Sequence, residues 1–337
     1  MLGTCSTPVN GSADHASNCC DGFTAAVKVV VTGGAGFIGA NLCRMLARQD
    51  FVDQVVALDD FSTGSPVNLA DSPSVELMEG TILNADDLDG VMAGTQAVVH
   101  LAARPSVPRS LADPIATHQV NATGTMMVLE AARRHGAPHV VVASSSSVYG
   151  ANPALPKRED MVPMPVSPYA ASKLATEAYA LSYARSFDVP VLAFRFFNVF
   201  GPLQPASHAY AAVVPAFVSC ALAGKSLPVH GDGTQTRDFT FVGTVASVLT
   251  DAIRRGVVDP EPVNLAYGSR VSLLELIAQL QEVVGHELQL HHLESRTADV
   301  RHSQADRTRL CRMFPEIEPT PLPEGLSATV AWFREST

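Results

Sequence analysis

The sequence has 337 residues, 47% hydrophobic and 17% charged, a balance typical of a globular chain with one large α/β domain and an appended lobe. Its formal net charge of −10, without any basic run, argues against nucleic acid as a partner. The longest apolar stretch, residues 209–224, is interrupted by Pro215 and is too short to cross a bilayer, so no membrane association is expected.

The first 24 residues predict a flexible tail. They contain no Lys or Arg and no apolar core, so neither a secretory signal nor a transit peptide is expected. The six cysteines, at positions 5, 19, 20, 43, 220 and 311, lack the spacing of a zinc site and the density of a disulfide scaffold. We therefore expect reduced thiols, a cytoplasmic protein and no bound metal.

A glycine-rich loop follows the first predicted strand, residues 27–31, and precedes helical apolar spacing over 40–49. Gly33, Gly36 and Gly39 stand where a dinucleotide loop needs a tight turn, close approach of a pyrophosphate and close helix packing. The start of the helix also offers unpaired N–H groups to phosphates. Because the spacing is G-x-x-G-x-x-G, a glycine-rich turn without a ligand remains the alternative.

An acidic residue follows the second predicted strand, residues 55–58. Asp59 lies twenty positions after Gly39, where a carboxylate would bind a ribose 2′-hydroxyl and repel a 2′-phosphate. The position predicts NAD rather than NADP, with a solvated turn acid as the alternative.

Predicted strands at 75–78, 97–100, 139–143 and 189–194 alternate with helical patterns, including one over 122–134. Such alternation predicts an α/β fold with a doubly wound parallel Rossmann sheet and ligands at the carboxyl ends of the strands. The segments His100–Ala103 and 144–150 lie at two of those ends.

A candidate catalytic group begins at the next predicted helix. Ser167 and Pro168 suit its N-cap and first position, and a spacing of four places Tyr169 and Lys173 on one face. An ammonium beside a phenol favours the phenolate, so Tyr169 is a candidate general base. Ser145 stands at a strand end. A solvated helix face and an ordinary loop serine are the alternatives.

Taken together, these motifs resemble the extended short-chain dehydrogenase/reductase family, and within it the nucleotide-sugar 4-epimerases of the UDP-glucose 4-epimerase type. The resemblance runs from residue 27 to the C-terminus and rests on TGGAGFIG, DDFSTG, HLAA, SSSSVYG, YAASK, RFFNVFGP, GDGTQTRDF and DVRHSQAD. It implies that Tyr169 removes the proton from the sugar O4 while the C4 hydride passes to NAD. The 4-ketose then turns over and takes the hydride back on its other face.

The resemblance also implies the residues of each site. The implied catalytic residues are Ser145, Tyr169 and Lys173, and Ser146 or Ser147 could share the role of Ser145. Besides Tyr169 and Lys173, the implied cofactor-binding residues are Gly33, Gly36, Phe37, Ile38, Gly39, Asp59, Ser62, Gly64, Thr81, Ile82, Leu101, Ala102, Ala103 and Asn121. The implied substrate-binding residues are Ser106, Ser145, Ser146, Ser147, Tyr169, Asn198, Val214, Arg237, Arg296, Asp299 and Ser303.

Four of these residues, Asn198, Arg237, Arg296 and Asp299, match positions that grip the uridine diphosphate. Local ion pairs are the alternative for both arginines, with Asp232 or Asp238 as acids for Arg237. Thr81 departs from the family, which usually has an acid there against the adenine.

The domain organisation follows from the same resemblance. Residues 25–195 are expected to form the NAD-binding domain and residues 196–337 a smaller α/β nucleotide-sugar lobe. Strands near 239–242 and 263–266 could return to the first domain. A homodimer is expected through the helices at 116–134 and 167–185, packed as a four-helix bundle.

Ser303 bears on the sugar. Family members restricted to glucose and galactose carry a tyrosine there, and serine leaves room for a 2-acetamido group. A UDP-hexose 4-epimerase that also takes the N-acetylated pair is therefore expected. A glucuronate epimerase, a decarboxylase and a reductase remain alternatives, whereas Ser146 and Ser147 replace the Asp-Glu pair of 4,6-dehydratases. A non-catalytic NAD sensor is a further alternative, although such proteins often lose the Tyr or Lys.

Overall fold

The computed structural model describes residues 27–206, 212–294 and 301–336. Its strands, in chain order, are β1 (Val27–Thr32), β2 (Val52–Asp59), β3 (Val75–Glu79), β4 (Ala97–His100), β5 (His139–Ser145), β6 (Val191–Phe196), β7 (Asn198–Phe200), β8 (Leu227–His230), β9 (Thr236–Arg237), β10 (Phe239–Phe241), β11 (Val263–Leu265), β12 (Val271–Ser272) and β13 (Leu290–Leu293). Its α-helices are α1 (Phe37–Leu46), α2 (Ala85–Met92), α3 (Val107–Ala112), α4 (Pro114–His118), α5 (Gly124–Arg134), α6 (Pro168–Phe187), α7 (Val213–Leu222), α8 (Val242–Arg255), α9 (Leu273–Val284), α10 (Thr308–Met313) and α11 (Leu322–Ser336). The predicted tail, residues 1–24, lies outside the described residues.

Seven parallel strands form the main sheet, in the order β11-β6-β5-β4-β1-β2-β3. The predicted doubly wound α/β sheet is confirmed. After β1 the chain adds β2 and β3 on one side of the sheet, and after β4 it adds β5 and β6 on the other side. A crevice therefore opens beyond the carboxyl ends of β1 and β4. Thr32 of β1 is in register with Leu58 of β2 and His100 of β4, which places the loops after these three strands side by side.

Both faces of the sheet are buried, which explains why its strands are continuous β-branched runs rather than alternating ones. One face packs against α1 and α8, with Leu42 and Leu249 in the same apolar cluster. The other face packs against α5 and α6 through Leu129 and Leu181. The catalytic helix expected from the sequence is therefore held directly on the sheet.

The smaller lobe has its own apolar cluster, built on α7, α9 and α11. Of the two stretches that could return to the first domain, β11 joins the main sheet beside β6, whereas β10 pairs with β7 outside that sheet. Since α8 also packs on the main sheet, the chain passes between the sheet and the lobe more than once.

Two helices differ from their predicted bounds. The helix expected over 40–49 is α1, which begins at Phe37, so Gly39 lies inside its first turn. The helix expected over 122–134 contains a π-helical segment, Gln119–Thr123, before α5. There the Asn121 carbonyl accepts hydrogen bonds from the hydroxyls of Thr125 (2.5 Å) and Thr176 (2.8 Å), which the sequence pattern does not reveal. Among the described residues, no helix combines the length and apolarity needed to cross a bilayer.

Candidate active site

Close packing explains the glycines of the loop between β1 and α1. Gly33 has a φ of +71°, and a Cβ there would lie 2.7 Å from the backbone nitrogen of Ala102. A Cβ on Gly39 would lie 2.1 Å from the Gly33 carbonyl oxygen. Any side chain at either position would therefore displace backbone, so the shape of this loop depends on glycine.

Asp59, at the end of β2, is buried and bonded to that same loop. One carboxylate oxygen accepts a hydrogen bond from the Ala35 N–H and the other from the Phe61 N–H, both at 2.9 Å. A Cβ on Gly64 would lie 2.8 Å from both oxygens, so Gly64 packs against the carboxylate. Burial raises the pKa of Asp59, and the backbone hydrogen bonds oppose that shift.

A cavity of about 500 Å³, here called the loop cavity, extends from this loop and Asp59 to α6. The predicted cofactor residues that line it are Gly33, Gly36, Phe37, Ile38, Gly39, Asp59, Ser62, Thr81, Ile82, Leu101, Ala102, Ala103, Tyr169 and Lys173. A glycine loop at a helix start and a carboxylate at the end of the second strand fit the pyrophosphate and ribose of NAD.

Like Gly64, Asn121 is not among the residues that line this cavity. Its side-chain oxygen accepts from the Arg104 N–H at 2.7 Å, and its side-chain nitrogen donates to the Ser172 hydroxyl at 2.9 Å. The Ser172 hydroxyl in turn donates to the Tyr169 carbonyl at 2.8 Å. Asn121 therefore links the segment after β4 to the first turn of α6 and fixes both, rather than facing the loop cavity.

The structure brings Ser145, Tyr169 and Lys173 together. Ser167 caps α6 by accepting from the Ala170 N–H at 3.1 Å, which sets the helix start two residues before Tyr169. Ser145, at the end of β5, is the neighbour whose side chain acts to lower the pKa of the Tyr169 phenol. Lys173 Nζ donates to the Ala143 carbonyl at 2.8 Å. All three side chains line the loop cavity, as do Ser146 and Ser147.

Burial is the largest influence on the pKa of both titrating groups. It raises the pKa of Tyr169, opposed by the Ser145 side chain, and it lowers the pKa of Lys173 to about 8. The expectation that Lys173 moves the tyrosine toward the phenolate is therefore not met by the chain's own groups. Burial shifts each group toward its neutral form, but a pKa of about 8 leaves Lys173 mostly protonated at neutral pH.

A buried ion pair, which the sequence analysis did not identify, lies behind this group. Glu177, one helical turn after Lys173, binds Arg195 of β6, and both side chains are buried. The Ser144 hydroxyl donates to Glu177 at 3.0 Å and also lies 3.2 Å from the Lys173 carbonyl. The only sequence signals were an acid at i+4 from Lys173 and the arginine that opens RFFNVFGP.

A second cavity of about 590 Å³, here called the lobe cavity, adjoins the first and extends into the smaller lobe. Ser106 and Asn198 line both cavities, and Val214 and Arg237 line the lobe cavity. Ser303 lines neither; it is half-buried, and its N–H donates to the Thr236 carbonyl at 3.1 Å. Arg296 and Asp299 lie outside the described residues.

Local contacts orient the substrate residues expected at the lobe cavity. The Asn198 amide donates to the Asp238 carbonyl at 3.2 Å, and Arg237 donates to the Thr236 carbonyl at 2.9 Å. The acids considered as partners of Arg237 have other contacts. Asp232 pairs with Arg301 at 3.1 Å, and the Asp238 carboxylate accepts from backbone N–H groups.

The polar residues of the lobe cavity that the sequence analysis missed include Arg109, Gln204 and His230. Arg109 had one available signal, because it lies six positions after HLAA, in a segment that must pass the crevice. The other two come from stretches whose approach to the crevice depends on the fold of the lobe.

The sheet, the glycine loop and the Ser-Tyr-Lys group define an NAD-dependent α/β enzyme of the short-chain dehydrogenase/reductase class. Residues 29–266 match the sequence profile of the NAD dependent epimerase/dehydratase family, and the chain belongs to that family.

Its similarities extend over the whole fold. The chain is 37% identical over 319 residues to the UDP-glucose 4-epimerase of Mycolicibacterium smegmatis, covering 92% of this chain and 100% of the relative. It is 33% identical to a dTDP-glucose 4,6-dehydratase of Streptomyces griseus, over 91% of this chain and 94% of that one. The structure of a UDP-N-acetylglucosamine 4-epimerase from Methanobrevibacter ruminantium, in complex with UDP-N-acetylmuramic acid, superposes with a TM-score of 0.87 at 33% identity, covering 93% of this chain and all of that one. The relatives therefore act on nucleotide sugars, and both epimerases and dehydratases are among them.

Proposed function

We propose that the protein is a 4-epimerase of UDP-hexoses, interconverting UDP-glucose and UDP-galactose and also the N-acetylated pair. The observation that carries the proposal is the grouping of Ser145, Tyr169 and Lys173 on the wall of the loop cavity, which shares Ser106 and Asn198 with the lobe cavity. A sugar anchored by its nucleotide in the lobe cavity would present its ring to this group.

Side chains of the protein would transfer the proton of the sugar O4 hydroxyl and hydrogen-bond its oxygen. Bound NAD would supply a positively charged nicotinamide that accepts and returns the C4 hydride and favours the Tyr169 phenolate. Tyr169 would take the proton from the sugar O4 and return it, while Ser145 hydrogen-bonds the reacting hydroxyl and the phenol. Asn198 and Arg237 would keep the diphosphate anchored while the sugar presents its second face.

The positions of the acids that line the loop cavity favour epimerisation over dehydration as the reaction of this enzyme. Loss of water across C5 and C6 needs an acid and a base near the sugar. Among the described residues, the acids lining this cavity are Asp59 and Asp60, both at the end of β2 beside the glycine loop. The residues after Ser145 are serines, which supply neither group at neutral pH.

Product analysis tests the proposal. Purified protein would be incubated anaerobically with UDP-glucose, UDP-N-acetylglucosamine and UDP-glucuronate in turn. We expect the galacto product from the first two without added cofactor, because the cycle regenerates its oxidant. Release of water or of CO₂, or turnover of the glucuronate alone, would overturn the proposal.

We further propose a cytoplasmic homodimer built from α4, α5 and α6. These helices pack against one another and expose several apolar side chains: Ile115 is 70% exposed, Tyr179 40% and Phe187 48%. Three further apolar residues of the segments 116–134 and 167–185, namely Val120, Met127 and Leu174, are half-buried. A two-fold interface would use this patch twice. Sedimentation at micromolar concentration should give a dimer, and a monomer would contradict it.

A further inference from the structure

The charge of the lobe cavity is opposite to that of the chain. The sequence has 33 acidic and 23 basic residues. Among the described residues, however, those lining the lobe cavity include Arg109 and Arg237 and no aspartate or glutamate. A cavity whose described charged side chains are cationic favours an anionic ligand, even in a chain of net negative charge.

Of these two arginines, Arg237 was expected from the sequence to bind the substrate and Arg109 was not. Arg109 is half-buried and lies on α3, the short helix that follows the segment after β4. Pro105 and Ser106 line both cavities, whereas Val107 and Arg109 line the lobe cavity alone. Arg109 therefore lines the lobe cavity beyond the residues that the two cavities share.

Within residues 27–206, 212–294 and 301–336, Arg109 forms no ion pair with an acid. The acid at helical spacing is Asp113, but its carboxylate accepts from the Ala116 N–H at 3.0 Å and lies 3.7 Å from Arg104. A guanidinium keeps its charge at any physiological pH, and a half-buried one is stabilised by an anion.

The turn that carries Arg109 is held in a specific conformation. Ser106, immediately before α3, has a φ of +95°, which L-residues rarely adopt. Its hydroxyl accepts a hydrogen bond from the Arg109 N–H at 3.4 Å. A strained backbone conformation of this kind persists only where the surrounding structure holds it. Such conformations cluster at functional sites, including ligand sites.

We infer that Arg109 binds an anionic oxygen pair of the nucleotide sugar, acting with Arg237 in the lobe cavity. The inference rests on the proposed nucleotide-sugar function. Two groups of the substrate carry this chemistry: the diphosphate, and the carboxylate if the sugar is a hexuronate. An arginine fork can bind either with two parallel hydrogen bonds.

Binding measurements distinguish the diphosphate from the carboxylate as the group that Arg109 binds. Dissociation constants for uridine, UDP, UDP-glucose and UDP-glucuronate would be measured by calorimetry on wild type, Arg109→Gln and Arg109→Lys. If Arg109 binds the diphosphate, Arg109→Gln raises the dissociation constants of UDP and both UDP-sugars about 10- to 100-fold and leaves that of uridine unchanged. If it binds the carboxylate, only UDP-glucuronate is weakened. Arg109→Lys should lose less, because it keeps the charge but not the fork.

The matched control is Arg158→Gln, at an exposed arginine paired with Asp160 outside both cavities. This variant should bind all four ligands as wild type does. The inference is overturned if Arg109→Gln binds every ligand like wild type, or if it weakens uridine as much as UDP. Wild type that binds neither UDP nor any UDP-sugar would instead overturn the proposed function itself.

Discussion

The carboxylate of Glu177 and the guanidinium of Arg195 form two parallel hydrogen bonds, of 2.8 and 2.6 Å, in the protein interior. The side chains are 6% and 3% exposed. This pair joins α6 to β6, and through Ser144 it also joins both to β5. The Lys173 carbonyl is therefore joined, through Ser144, to an ion pair whose two members do not line the loop cavity.

Removing the acid of this pair should strongly destabilise the fold. Glu177→Ala would leave Arg195 buried without its counter-ion, at a cost of about 3–5 kcal/mol in the free energy of unfolding. Urea denaturation would measure the change. The control is Asp160→Ala, which breaks an exposed pair with Arg158 and should cost less than about 1 kcal/mol. Equal losses in the two variants would contradict the importance of the buried pair.

Asp59 should determine cofactor choice. Asp59→Ala removes the carboxylate expected to bind the ribose diol, so NAD affinity should fall and the preference over NADP should shrink. The carboxylate also holds the Ala35 N–H, so some loss of stability is expected as well. Fluorescence titration with both cofactors would measure this, with Asp53→Ala, at an exposed position of the same strand, as the control. Unchanged affinity for both cofactors would refute the assignment.

Tyr169 should carry the proton transfer. Tyr169→Phe removes only the phenolic oxygen, so turnover should fall by about 10²- to 10⁴-fold while UDP-sugar binding is retained. Ser145→Ala should cost less, because Ser146 or water can replace its hydroxyl. Steady-state rates combined with calorimetric binding would test both variants. Near-normal turnover by the phenylalanine variant would disprove the mechanism.

The local patterns of the sequence predicted the sheet, the glycine loop, Asp59 and the Tyr169–Lys173 pair, whereas most other predicted residues of the loop cavity came from the family resemblance. A β-branched strand, a glycine triad and an i, i+4 Tyr-Lys pair each specify structure within a few residues, and their order specifies the fold. The ion pair of Glu177 and Arg195 escaped prediction because it depends on the register of β6 against α6. Asn121 was expected at the cofactor, but its amide is used by Arg104 and Ser172, which only the folded chain brings near.

A buried acid in the lobe should make stability depend on pH. The Asp238 carboxylate accepts from the N–H groups of Gly268 (3.0 Å), Ser269 (3.1 Å) and Ala305 (2.9 Å). Burial raises its pKa from 3.8 to about 6, despite these bonds. Because the folded pKa exceeds the unfolded one, the folded state binds more protons between these values. The contribution of Asp238 to the free energy of unfolding therefore rises as the pH falls through 6 toward 4.

Asp238→Ala should consequently destabilise the protein more at pH 5 than at pH 7, by about 1 kcal/mol. Urea denaturation of wild type and variant at the two pH values measures the difference. Leu276→Ala, which truncates a buried apolar side chain in the same lobe, is the control and should cost the same at both pH values. A loss for Asp238→Ala that is larger at pH 7 would contradict the assigned direction.

The substrate range should respond to position 303. We expect wild type to convert UDP-N-acetylglucosamine at a rate comparable to UDP-glucose, and Ser303→Tyr to remove the N-acetyl activity selectively. A phenol would occupy the space that a 2-acetamido group needs, and overpacking of this kind costs about 1–3 kcal/mol. Ser303 lies one residue after His302, which is bridged to Thr236, the neighbour of Arg237. A longer side chain on this segment could therefore extend toward the lobe cavity.

Steady-state rates on both substrate pairs would measure that preference. The control is Ser303→Ala, which removes the hydroxyl without adding volume and should leave the ratio of the two activities unchanged. Volume is the wrong explanation if Ser303→Ala shifts the ratio as far as Ser303→Tyr does. Position 303 has no part in sugar selection if the tyrosine variant keeps the wild-type ratio, because a phenol that reached the bound sugar would have to discriminate against the larger substituent.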